Sequence, residues 1–185
     1  MKKNIIGAIV GGLIIFAWQF LTWGPLNLHK AQQQYTPKQD SILAYLGTQF
    51  SEDGAYMLPT FAPGTSRDVM EKEMKAMEGK PWAQVFYHKS MPGMNAMFMN
   101  MARSFLVDFV IVWLLCWLLG KITSPSFGTI FMGSVGTGLI VFLNIPYTMH
   151  IWYGSYDLNA HLTDALVSWG VTGLWLGWWL RRAKR

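Results

Sequence analysis

The chain has 185 residues, 52% of them hydrophobic and 15% aromatic, with 15 Lys and Arg against 10 Asp and Glu. That length is too small for two membrane domains, and the single cysteine excludes a disulfide framework. The net charge of +5 does not mark a nucleic-acid binder. Residues 24–97 contain seven basic and seven acidic side chains, which cancel and leave no basic patch on the polar part of the chain.

Four apolar stretches, 5–23, 98–119, 127–149 and 162–180, organise the sequence. About 20 apolar residues in helix cover the roughly 30 Å of hydrocarbon in a bilayer. We therefore expect an all-α membrane protein of four transmembrane helices, with a small external α or α+β subdomain between the first and second. The expected domains are a first transmembrane helix at 1–23, an external (periplasmic) segment at 24–97, and a three-helix membrane region at 98–185 with spans at about 98–119, 127–149 and 161–180. Lys2, Lys3, Lys121, Arg181, Arg182, Lys184 and Arg185 flank the spans with no acid among them. The positive-inside bias then places both termini in the cytoplasm of a cell whose inner (plasma) membrane the chain crosses.

The first stretch follows Lys2 and Lys3 as a secretory signal would, but it exits through Trp23, Gly24 and Pro25 without a small-x-small cleavage site, so we expect it to stay attached. In the external segment, 38–50 reads as a capped helix and 66–78 as a second, with Val69, Met70, Met74 and Met77 at helical spacing. Residues 55–58 and 83–87 are short extended candidates, giving two helices over a hairpin-like pair. In span three, Asn144 and Pro146 predict a bend near the outer end. The loop 151–160 offers Trp152, Tyr153 and Tyr156 to the headgroup level.

Small residues four apart, Gly7 with Gly11, Ser134 with Gly138 and Gly173 with Gly177, put close-approach faces on three spans. Their first reading is intramolecular packing, and their second a face for a partner subunit. Charged groups within lipid need partners, so Arg103, Asp108, Asn144, Asp164 and Ser168 are expected to form a polar lock, with Arg103 paired to Asp164 and Asp108 deeper. A sharper alternative makes Asp108 a proton or cation relay reaching His161 through Asp164. Against it, the stretch after Asp108 towards the cytoplasm is wholly apolar.

All four histidines, His29, His88, His150 and His161, fall near an external membrane boundary, and Met94, Met97 and Met101 lie alongside in sequence. Imidazole and thioether are ligands for copper, and imidazole for haem, so these residues are the candidate metal set. No HxH or HxxxH spacing supports it locally. The chain also lacks GxSxG, Walker, HExxH and CxxC signatures. The expectation is thus a non-enzymatic accessory or structural subunit that packs in lipid against a larger inner-membrane complex. A copper or haem protein is the alternative and an ion relay through Asp108 the third. No cofactor is expected with this reading beyond bound lipid, and no nucleic acid.

Overall fold

The computed structural model describes residues 2–182, so the flanking Lys184 and Arg185 lie outside the described residues. The chain is mostly helical with one two-stranded sheet. Two compact units divide it: the first joins residues 1–34 to 94–185, and the second is 35–93.

In the first unit, α1 (Lys2–Trp23), α4 (Met94–Leu119), α5 (Phe127–Phe142) and α7 (Leu158–Arg182) are the long helices. The second unit holds α2 (Gln39–Gln49), β1 (Gly54–Leu58), α3 (Arg67–Met77) and β2 (Ala83–Tyr87). A short α6 (Thr148–Tyr153) continues α5 through a π-helical turn at Leu143–Tyr147. Pro146 sits in that turn, where it removes one backbone donor and widens the helix to i→i+5 spacing. The Thr148 hydroxyl donates to the Leu143 carbonyl at 3.0 Å. The predicted bend is therefore a π-turn, and the helix resumes beyond it to Tyr153, leaving a shorter outer loop than expected.

Three helical segments, Lys2–Trp23, Met94–Leu119 and Phe127–Tyr153, are long and apolar enough to cross a membrane, as in a multi-pass membrane protein. The expected fourth, α7, has the length at 25 residues but not the average apolarity. Its Asp164, Ser168 and Thr172 dilute the apolar count, and each faces inward: Ser168 and Thr172 are buried and Asp164 is half-buried. Between Asp164 and Leu180 its exposed residues are Leu166, Val171, Leu174 and Trp178.

The long helices lie in the order α4, α1, α7, α5, each packed on the next, while α4 touches α5 sparingly. The core they share includes Ala8, Ile15, Val112, Cys116, Ile130 and Leu176. Glycine sets the spacing. A Cβ on Gly11 would come to 2.7 Å from Val112, one on Gly138 to 2.5 Å from Trp169, and one on Gly177 to 2.7 Å from Phe127. Gly7 lies against Leu176 and Trp179, and Gly173 against Ser134 and Phe131. All six small residues singled out by spacing thus sit at contacts between helices of the chain itself. Gly12, which no spacing rule marked, meets the α4 backbone at Phe109, with a Cβ–N distance of 2.9 Å.

A ladder of side-chain donors ties α7 to α1. Thr172 Oγ1 donates to the Gly11 carbonyl at 3.5 Å, Trp175 Nε1 to Gly7 at 3.3 Å, and Trp179 Nε1 to Lys3 at 2.9 Å. The spacing of three to four residues on both helices matches antiparallel neighbours, and missing side chains at Gly7 and Gly11 leave those carbonyls reachable. On the other side of α7, the Ser134 hydroxyl donates to the Trp169 carbonyl at 2.7 Å.

In the second unit β1 and β2 pair antiparallel, Gly54 opposite Tyr87 and Leu58 opposite Ala83. Phe50, at the end of α2, stacks on Tyr56 with centroids 3.9 Å apart. The four elements fall within a residue or two of the expected ones. No described residue of this unit is buried.

Candidate functional site

The densest polar constellation of the first unit lies where the end of α1 meets the start of α7. After Trp23 the chain leaves its helix, and the Leu28 amide bonds the Thr22 carbonyl at 2.9 Å, folding the 24–28 segment back on α1. A 3₁₀ turn at Lys30–Gln32 follows. This path turns His29 inward to 1% exposure, with its ring stacked on Trp23 at 3.9 Å and 3°. From the other direction, Gly154 in the left-handed conformation (φ 62°) ends α6. Asp157 then precedes α7, its carbonyl accepting from the Ala160 and His161 amides at 2.9 and 3.1 Å.

His29 bridges two carboxylates. Nδ1 is 2.7 Å from Asp157 Oδ2 and Nε2 is 2.9 Å from Asp164 Oδ2. His161 Nε2 is 3.2 Å from the same Asp157 oxygen. Further groups hold the carboxylates from behind: Gln32 Nε2 donates to Asp157 Oδ1 at 2.5 Å, Trp18 Nε1 to Asp164 Oδ1 at 2.8 Å, and Thr22 Oγ1 to Asp164 Oδ2 at 3.5 Å. Asp157 is 4% exposed, and among the described residues Asp157 and Asp164 form ion pairs only with histidines. The arrangement can hold a proton between His29 and the acids, or a cation among them.

Several sequence expectations are corrected here. Arg103 does not pair with Asp164. It is exposed and forms no ion pair among the described residues, because α1 lies between α4 and α7 and takes the Asp164 contacts itself. Asn144 is likewise exposed, in the π-turn, and joins no lock. Ser168 is buried, but its hydroxyl donates to the Asp164 backbone carbonyl at 2.5 Å, one turn back on its own helix.

Asp108 is 5% exposed and receives Gln19 Nε2 at 3.4 Å on Oδ1, while Oδ2 has no hydrogen-bond partner among the described residues. Among the described residues no side-chain hydrogen bond joins it directly to Asp164 or His161, and Gln19 and Thr22 of α1 lie between.

Of the candidate metal set, His29 and His161 come together, with ring centroids 4.8 Å apart. His150 Nδ1 instead bonds the Ser155 carbonyl at 2.8 Å, closing the turn before α7. His88 belongs to the second unit, exposed and 3.7 Å from Asp53. Met94 and Met97 are exposed on α4, at 64% and 46%, and Met101 is half-buried there.

Sequence reasoning left Asp157 out of the ligand set and gave Trp18, Trp23 and Gln32 no part in a site. The partners of His29 lie 128 and 135 residues away, so no local spacing could signal them. Comparison with family models, with curated proteins and with solved structures gives no match to this chain.

Proposed function

We propose that this chain is a non-catalytic integral membrane protein of four transmembrane helices, an accessory or structural subunit that joins a larger assembly of a cell inner membrane through its 35–93 unit. One observation carries the reading. That unit forms two helices and a sheet yet buries none of its described residues, and Met74, Trp82 and Phe86 stand 58%, 52% and 65% exposed. A unit of this size gains little from so thin a core, and exposed apolar surface of this kind marks a protein contact.

The inward polar face and outward apolar face of α7 support a fourth crossing. With four, the positive-inside bias puts Lys2, Lys3, Lys121, Arg181 and Arg182 in the cytoplasm and the 35–93 unit in the periplasm. Surrounding lipid is the other partner, against the exposed apolar side chains of α4 such as Leu106, Val110 and Trp117.

Extraction in mild detergent tests the subunit reading. A membrane protein is expected to co-purify in fixed ratio and to be lost from the Trp82→Asp, Phe86→Asp double variant. A wild-type chain that runs alone, with no cross-linked adduct formed in intact membranes, overturns the reading.

A second reading, metal binding, is favoured by the grouping of His29, Asp157 and His161, whose ligand atoms lie within 4.8 Å of one another.

A further inference from the structure

We propose that His29, Asp157 and His161 form a binding site for one divalent transition-metal ion of the Zn²⁺ type, with Asp164 and Gln32 as its supporting shell. The proposal stands apart from the subunit reading, since every group involved belongs to the helical unit.

Four observations converge on it. The first is distance. Donor atoms around a tetrahedral ion at ~2.1 Å stand ~3.4 Å apart. Here Asp157 Oδ2 lies 2.7 Å from His29 Nδ1 and 3.2 Å from His161 Nε2, and no pair among the three ligand atoms exceeds 4.8 Å. Small side-chain adjustments bring all three onto one ion.

The second is the shell behind the ligands. A metal-bound histidine gives its other ring N–H to a carboxylate, which fixes the tautomer and makes the ligating nitrogen more basic. With Nδ1 on the ion, His29 Nε2 already faces Asp164 Oδ2 at 2.9 Å, and Asp164 is itself held by Trp18 and Thr22. Gln32 does the same for the second oxygen of Asp157. The Trp23 ring, 3° from parallel with the imidazole, fixes its plane.

Charge supplies the third. Two carboxylates converge on the buried His29 ring, one of them also meets the half-buried His161, and among the described residues no Lys or Arg pairs with either acid. A divalent cation is the charge that such converging oxygens favour.

The donor types supply the fourth. Two imidazoles and one carboxylate suit Zn²⁺, whereas Cu(I) prefers sulfur. Three protein ligands leave one tetrahedral position, and His161 is the ligand that reaches the surface, its side chain 25% exposed. The ion thus clamps the segment after α1 to the start of α7 and keeps one position for water or a small anion.

Full-length protein purified in detergent and washed with a chelator is titrated with ZnCl₂ alone, followed by calorimetry and elemental analysis. One ion per chain is expected, with X-ray absorption giving nitrogen and oxygen neighbours at ~2.0–2.2 Å and no sulfur. Co²⁺ in its place should give the visible absorption of a tetrahedral site. Asp164→Asn should weaken binding about 10- to 100-fold. His161→Gln, at the exposed edge, should abolish one-to-one uptake, whereas His88→Ala and His150→Ala should leave it unchanged. Absence of stoichiometric Zn²⁺ in the wild type, a sulfur neighbour, or equal uptake by His161→Gln overturns the proposal. In the first case the cluster is an ion-pair lock between two helices.

Discussion

Buried polar groups in this protein are held by partners remote in sequence, and Asp108 shows what happens where the partners run short. One of its oxygens receives a long bond from Gln19 and the other receives none among the described residues. A carboxylate so placed gives little back for its burial. Asp108→Asn is therefore expected to keep the stability or raise it by on the order of 1 kcal/mol, read as an unchanged or higher thermal midpoint in detergent. A fall of several degrees would show that the charge itself holds α4 to α1. The sequence marked Arg103, Asp108 and Asp164 as charges in need of partners, since charge within an apolar run is visible in one dimension. It mispaired Arg103 because pairing by depth assumes adjacent helices, and depth carries no information about which helix lies between.

At the scale of the helices, glycines divide by what a methyl group would strike. On Gly138 it would meet the Trp169 ring at 2.5 Å and the Ala165 carbonyl at 2.7 Å, whereas on Gly170 nothing lies within 4 Å. Gly138→Ala should cost about 1–3 kcal/mol by forcing α5 off α7. Gly170→Ala should cost nothing, or stabilise by about 0.5–1 kcal/mol through lower backbone freedom in the unfolded chain. Thermal unfolding of the two variants in the same detergent checks the pair, and equal losses would disprove the contact. The four-residue spacing of small residues was legible because it is a helical period. The donor ladder from Thr172, Trp175 and Trp179 was not, since tryptophan near a membrane boundary reads first as a headgroup anchor. α7 was recognised from its length and apolar run, although its inward polar residues lower its average below that of the other three.

For the molecule as a whole, the proposed topology makes a direct statement about sidedness. A cysteine placed at Thr65 should react with an impermeant maleimide added to intact cells, while one at Lys121 should react only after permeabilisation. Cys116, at 1% exposure, should stay silent in both. Labelling of the Lys121 site from outside would refute the topology. The 35–93 unit was legible element by element, because short amphipathic helices and aromatic strands carry local signals. Its lack of a core was not, since burial depends on how elements meet rather than on which elements form. The cluster of His29, Asp157 and His161 shares that limit.

The hydrogen-bonded ladder has a temporal implication. Its two rails are the first long helix and the last, joined by contacts spanning 161 to 176 residues of sequence. During synthesis the Gly7 and Gly11 carbonyls of α1 have only their intrahelical partners until α7 is made and brings the side-chain donors. Assembly of the helical layer consequently waits for α7, and a ribosome that stalls before Leu158 leaves a nascent fragment in which α1 lacks one of the two helices it packs against.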